Sequence, residues 1–332
     1  MTTRVLILNS LLPNANWHLI TSLWRECGAE GGDVVAEVAQ AHTLPMQLRA
    51  FAPDVVIAFG GEALTPEQVR GWRALTPQQG NNPSWVLWTT EDPFELEANQ
   101  AIAPCFDHVF TSDRASRERY DHPRCHYLPL AADPALSLRP VVADESALWY
   151  DLVFVGTAWP NRLPFLADVA RAARDGGLRA RFLLPTNPHL SAEMLGTLGM
   201  EPFEYDMRIS PVDLASLQNR SRCALLLFRD FSRFTREPRP QTSPTNRFYE
   251  TALTGCVQIA VSEQMDVAAF YPELSGAVLK AQTVEGVVEM VRRARADNAW
   301  RVAAAERAQR FVAERHLYRH RVRELLETVR KG

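Results

Sequence analysis

Two polar clusters interrupt apolar runs in a way that suits the chemistry of phosphates and vicinal hydroxyls. In SPTNRFYETALTGCVQIAV, Ser243 to Val261, the spacing predicts a short helix over 245–254 that opens with Thr245 and Asn246 as caps. Arg247 stands beside them, and Glu250 falls on the same face one turn later. Free N–H groups and a guanidinium at a helix start hold a phosphate, and a carboxylate next to them accepts the two hydroxyls of a ribose. A plain Arg247–Glu250 ion pair is the competing reading, and the residues alone leave both open. In FVGTAWPNR a strand ends at Gly156 and Thr157, where a missing side chain lets a ligand or another backbone approach. Asn161 and Arg162 follow at the start of the next helix as a second phosphate-binding candidate, against the alternative of a turn glycine with a surface arginine.

The first half of the chain adds carboxylates. WTTEDPFELEANQ places Glu91 and Asp92 just after a strand, and Pro93 is suited to start a helix with Glu95 and Glu97 in its first turn. Glu91 and Asp92, with Arg162, are the catalytic candidates; helix capping is the other reading. In FTSDRASRERY, Ser112 or Asp113 is placed to cap a helix, with Arg114 at the strand end. Asp113, Arg114, Asn9, Ser10 and Trp17 are candidates for facing an acceptor, beside capping and core roles. The basic loop RDFSRFTREPRPQTS, with Arg229, Arg233, Arg236 and Arg239, reads either as a lid over phosphates or as a solvated loop.

Absent motifs narrow the chemistry. The chain has no G-x-G-x-x-G, no P-loop, no H-E-x-x-H, no G-x-S-x-G and no D-x-D. Dehydrogenase and P-loop functions are disfavoured, and so is a metal-dependent nucleotide-sugar site; no metal or cofactor is expected. A net charge of -3 gives no case for nucleic-acid binding. Five scattered cysteines, none in a C-x-x-C pair, read as small core residues. The first residues are too short an apolar run for a signal peptide, and no run approaches the ~20 apolar residues of a membrane span, so the expected address is the cytoplasm.

These candidates need a scaffold, and the periodicity supplies one. Continuous apolar runs (RVLILNS, DVVIAFGG, SWVLWTTED, DHVFTSD) alternate with helical segments, the signature of a parallel sheet covered on both faces. After a stretch of little periodicity the pattern restarts at YDLVFVG and continues through RARFLLP, SRCALLLF and CVQIAV. The expectation is two doubly wound α/β domains: 1–132, a linker at 133–149, and 150–316. The tail from Thr283 to Arg330 reads as helical throughout, amphipathic and of mixed charge, with a closing helix at 317–332. In such sheets ligands bind outside the carboxyl ends of the strands, where each polar cluster falls.

Taken in order, WTTEDPFELE, FDHVFTSDRASRERY, HYLPLAADP, DLVFVGTAWPNRLPFL, SPTNRFYETALTGCVQIA and HLYRHRVRELL resemble the CgeB-like, spore maturation protein-type glycosyltransferases of the GT-B superfamily. The resemblance implies a GT-B fold, two Rossmann-like domains facing a central cleft, with C-terminal helices crossing back to the first domain. It implies metal-independent, retaining transfer of a sugar from a nucleotide-sugar donor, held mainly by the second domain. The acceptor, whether glycan, protein or small molecule, is not identified. Glu250 matches the second carboxylate of the Glu-x7-Glu pair of related retaining enzymes, similar to a ribose-binding acid, but the first falls on Thr242. That departure leaves the anomeric outcome open. It also motivates an alternative, a non-catalytic nucleotide- or sugar-binding partner subunit.

Overall fold

The computed structural model describes residues 2–11, 18–29, 33–76, 82–157, 159, 162–185, 203–205 (backbone), 209–229, 239–262 and 265–331. The chain divides into two units: Met1–Ala131 with Phe231–Ser243 and Leu317–Gly332, and Ala132–Asp230 with Pro244–His316.

The first unit is built on six parallel strands in the order β2-β1-β3-β4-β5-β6: β1 Thr3–Ser10, β2 Val34–Ala39, β3 Val55–Gly60, β4 Ser84–Trp88, β5 His108–Thr111 and β6 Cys125–Tyr127. RVLIL is a strand because both its faces are covered. Val5 and Ile7 pack with Leu19 and Leu23 of the helix His18–Gly28, and with Tyr318, Val322 and Leu325 of the closing helix Tyr318–Lys331. Leu6 and Leu8 pack on the other face with Leu44, Leu48 and Val69 of the helices Leu44–Phe51 and Pro66–Leu75. The closing helix is thus part of the first unit's core, which explains why so charged a segment folds: its apolar stripe is buried, and the one arginine buried with it, Arg321, donates to Pro129 O at 3.0 Å.

The second unit repeats the plan with β7 Tyr150–Val155, β8 Ala180–Leu184, β9 Phe203–Tyr205, β10 Ser221–Leu227, β11 Val257–Val261 and β12 Val278–Ala281, in the order β12-β11-β10-β7-β8-β9. All five pairings are parallel. Leu152 and Phe154 face the helices Leu163–Asp175, Val284–Ala296 and Asn298–Arg315, whereas Val153 and Val155 face Leu214 and Leu217 of the helix Pro211–Asn219. The tail expected to be helical from Thr283 onward is three helices, the last two capped apart at His316.

Residues 133–149, read from composition as a linker, are tied into the second unit. Asp133 caps the turn Pro134–Ser137, Arg139 N–H donates to Leu253 O at 3.1 Å, and Asn219 Nδ2 and Arg301 Nη2 donate to Pro140 O and Val142 O at 2.8 and 2.6 Å. Low periodicity hid this, because the anchoring donors come from side chains far along the chain. Among the described residues no helix is long and apolar enough to cross a membrane.

At the amino edge of the second sheet a buried ion pair holds β7 to β10: Arg222 Nε donates to Asp151 Oδ1 at 3.0 Å, and its Nη1 pairs with Glu145. Asp151 also accepts from Arg179 N at 2.8 Å. Removing one partner of such a pair strands a buried charge, at a cost of about 3–5 kcal/mol. Arg222→Ala is therefore expected to lower the urea unfolding free energy by about that amount, and a loss well below 1 kcal/mol would show that Asp151 finds other partners.

Candidate functional site

In an open parallel sheet, chain connections that leave in opposite directions from one strand open a crevice at the carboxyl edge. The second unit has the order 3-2-1-4-5-6 counted within itself, so its crevice lies between the ends of β7 and β10. Gly156 and Thr157 follow β7 there, as expected. The close approach at Gly156 is internal, however: a Cβ added there would lie 3.0 Å from Phe154 Cζ, so the missing side chain makes room for that ring.

Arg162 is the N-cap residue of the helix Leu163–Asp175, as its place in the sequence implied. Both its terminal nitrogens are engaged: Nη1 donates to Thr157 O at 3.0 Å and Nη2 to Leu227 O at 2.6 Å. It clamps the loop after β7 to the end of β10, which corrects the expectation that it presents its fork to a phosphate. Asn161 lies outside the described residues. Two residues not singled out as a pair from sequence also meet at this crevice: the Arg229 guanidinium lies over the Trp159 ring, 4.7 Å from its centroid. Their positions after two separate strands, 70 residues apart, are what kept them from being read together.

The helix Asn246–Leu253 runs back from the carboxyl edge to feed β11, so its amino end lies at that edge. Thr245 is its N-cap residue but makes no side-chain cap bond, and Asn246 is not a cap. Instead Asn246 Nδ2 donates to Glu250 Oε1 at 3.0 Å, and Arg247 Nη1 sits 3.0 Å from Glu250 Oε2. The ion pair is present, with Arg247 side chain 31% exposed and Glu250 11%. A carboxylate held by two donors is an oriented acceptor.

In the first unit the corresponding crevice lies between β1 and β3, since β1 pairs with both β2 and β3. Gly60 and Gly61 have φ of 116° and 109°, and a Cβ on Gly60 would fall 2.9 Å from Leu11 N and Ser10 O. Only glycine permits this turn against β1. Ser10 is buried and its Oγ accepts from Gly61 N at 3.1 Å, so it joins the two strand ends and does not face outward as an acceptor-side group. Asn9 is bonded locally, its Oδ1 accepting from Leu11 N at 3.3 Å and its Nδ2 donating to Gln40 at 3.4 Å. Trp17 lies outside the described residues. Glu62, missed from sequence although it directly follows Gly-Gly at a strand end, accepts from Thr90 Oγ1 at 3.3 Å.

Asp92 does not stand at an open edge. It is buried, and its Oδ2 accepts from Thr89, Thr111 and Tyr120 hydroxyls at 2.7, 2.7 and 2.8 Å while Oδ1 accepts from Asn99 Nδ2 at 2.9 Å. Burial pushes its pKa up against the pull of these four donors. This is a buried scaffold carboxyl enclosed by four donors, which corrects its catalytic assignment. Glu91 is half-buried, and its carbonyl accepts from Phe94 and Glu95 N–H groups. The helix begins at Leu96, not at Pro93.

Asp113 is likewise occupied: Oδ2 accepts from Ser116 N and Oγ at 3.1 and 3.0 Å, and Oδ1 from Thr242 N and Oγ1 at 2.8 and 2.7 Å. Arg114 is exposed, its guanidinium 5.5 Å from the Tyr127 centroid. Arg239 is bound to Glu97, whose carboxyl it holds below the usual range, so it anchors the first unit and is no lid; Arg233 and Arg236 lie outside the described residues.

No curated protein matches the sequence. Among solved structures, sucrose-phosphate synthase from Thermosynechococcus elongatus superposes with a TM-score of 0.65 at 14% identity, over 99% of this chain and 98% of that one. Anabaena HepE in complex with UDP-glucose gives 0.63 at 11% over 99% and 100%. AviGT4, a glycosyltransferase involved in avilamycin A biosynthesis, gives 0.63 at 16% over 99% and 97%. At such identities the likeness is one of fold, the GT-B fold of two Rossmann-like units in one chain. The family model described as glycosyl transferase-like matches residues 149–327, just over half of the sequence and nearly all of the second unit, and the chain belongs to that family.

Proposed function

We propose that the chain is a glycosyltransferase that moves a sugar from a nucleotide-sugar donor to a hydroxyl-bearing acceptor, and that within its family it is of the CgeB-like type its motifs resemble. The observation that carries the reading is the carboxyl edge of the second unit, where Arg229 follows β10 and Arg247 with an oriented Glu250 opens the helix that feeds β11, in a sheet of dinucleotide-binding order. Transfer leaves negative charge growing on a diphosphate, and fixed cations placed there lower the barrier. The HepE structures with UDP and UDP-glucose support the same donor class.

Calorimetric titration with UDP, GDP, dTDP and CDP, followed by assay of nucleoside diphosphate release from the matching sugar donors, tests the proposal. Binding of one diphosphate and its release from the sugar are expected; failure to bind any of them overturns it. Retention at the anomeric carbon and independence from metal are part of the proposal. Since the chain has no D-x-D and the edge supplies arginines, release is expected to survive EDTA within about two-fold; complete loss restored by manganese would refute that element.

A second reading, a nucleotide- or sugar-binding subunit without turnover, rests on Thr242. It stands where related enzymes carry a carboxylate, and its N–H and hydroxyl are both spent on Asp113. Binding without release would select it.

A further inference from the structure

We infer that His108 and His126, stacked across the seam between β5 and β6, form an acid-sensitive latch on the outer strand of the first sheet: as neutral rings they hold β6 in place, and protonation releases it. The inference concerns the first unit alone and stands independently of the nucleotide-sugar reading.

The geometry follows from the strand register. Side chains alternate along a strand, so His108 and Phe110 share one face of β5, and Phe110 lies opposite His126 of β6. The three rings meet on that face. His108 and His126 stack with centroids 5.8 Å apart and planes 27° from parallel, and Phe110 sits 5.1 Å from His126. His108 is 3% exposed and His126 half-buried, and His108 Nδ1 and His126 Nε2 are both covered with no hydrogen-bond partner among the described residues. A neutral ring can place its bare nitrogen in such a position. An imidazolium carries N–H on both nitrogens and would strand a charged donor there.

The surrounding charges oppose protonation as well. Arg124 and His122 act on His108, Arg117 and His122 act on His126, and a charged His126 repels a charged His108. Asp107, the acid that acts on His108, is already engaged by Arg73 Nη2 and Trp85 N, each at 2.8 Å. Burial first, and these cations second, hold both rings below the usual histidine value. His122 differs from the pair: its Nε2 lies 3.1 Å from Phe106 O, and its Nδ1 accepts from Arg124 N at 3.2 Å.

The strand that the rings hold is short. β6 is an edge strand of three residues, Cys125–Tyr127, paired on one side only. Val109 N–H donates to Arg124 O at 3.0 Å where the seam starts, and Leu128 N–H to Thr111 O at 2.9 Å where it ends. Beyond it the chain is fixed, because Trp88 Nε1 and Arg321 Nε donate to the Leu128 and Pro129 carbonyls at 3.1 and 3.0 Å, so opening is confined to the edge. A histidine held low in the fold takes up a proton on opening. The seam is therefore fully stable above the free histidine value of about 6.5 and loses stability as pH falls below it.

The test is amide hydrogen exchange, expressed as protection factors for residues 109–111 and 125–127 from pH 7.5 to 5.5. In wild type these factors are expected to fall about three-fold or more while those of β1 and β3 hold, about ten-fold being the most that one histidine protonated only in the open state contributes. Replacing both rings, His108→Phe with His126→Phe, keeps the stack without a titrating group and is expected to flatten the profile. A flat wild-type profile, an equal fall in β1 and β3, or an undiminished fall in the folded double variant overturns the latch. Should the double variant not fold, proton NMR titration of the ring C–H signals in wild type decides: both midpoints are expected below about 6.5, and a midpoint at or above that value for either ring overturns the inference.

Discussion

Asp92→Ala is expected to cost the first unit about 3–5 kcal/mol, as removal of one partner from a buried polar network does. Four donors converge on that carboxyl, from Thr89, Asn99, Thr111 and Tyr120, and alanine takes their shared acceptor out of the core, Thr111 retaining Asp113 O at 3.3 Å. Each stranded donor costs about 1–3 kcal/mol before relaxation. Asp92→Asn is a milder change, because its carbonyl still accepts from Asn99 while two of the hydroxyls, those of Thr89 and Tyr120, rotate to accept from its two amide N–H groups and Thr111 keeps Asp113 O as an acceptor at 3.3 Å. The two variants therefore separate scaffold from catalysis: the asparagine protein is expected to fold and keep most of any transfer activity. Loss of activity in a folded Asp92→Asn protein with unchanged nucleotide affinity would restore Asp92 to the catalytic centre.

The same carboxyl makes a prediction about pH. Its pKa in the fold is raised above the ordinary aspartate value by burial, so its contribution to stability is full below that ordinary value and is lost as pH rises through the raised one. Urea midpoints measured from pH 4 upward are expected to fall less steeply in Asp92→Asn than in wild type. Parallel profiles would show that Asp92 titrates alike in both states.

Glu250→Gln is expected to weaken nucleoside and nucleoside diphosphate alike by about ten-fold or more, since two charge-assisted hydrogen bonds to ribose hydroxyls are each worth roughly 1.5–3 kcal/mol and ~1.4 kcal/mol is one decade. Arg247→Ala is expected to weaken the diphosphate well beyond the nucleoside. Two donors hold the carboxylate in place, Asn246 and Arg247. A carboxylate already aimed loses little freedom on binding. If the pair were only a helix-surface ion pair, its removal would cost at most ~1 kcal/mol of stability. Calorimetry on the folded variants with UDP or GDP and the matching nucleoside decides: wild-type affinities in Glu250→Gln return this helix to a structural pair and leave the ribose without an assigned partner.

By itself the sequence determined the local elements and their class. Apolar runs such as Val5–Leu8 and Cys223–Leu227 have no polar face to give to water, so they must be covered on both sides, and the intervening periodic segments supply the cover. The Gly60-Gly61 turn, the strand end at Gly156 and the Arg247–Glu250 spacing are also local, set within a few residues by backbone sterics and helical pitch. Tertiary structure alone decided which polar groups remain available. Asp92 and Glu91 are neighbours of the same chemical type, yet one is enclosed by donors from positions 89, 99, 111 and 120 and the other is half-buried. Arg162 is one arginine among many in the sequence, and only the fold ties it to a carbonyl 65 residues away. The reason is physical: helix and strand periods are short-range properties, whereas the satisfaction of a buried charge depends on which strands lie side by side, and that order is set by the packing of the whole sheet.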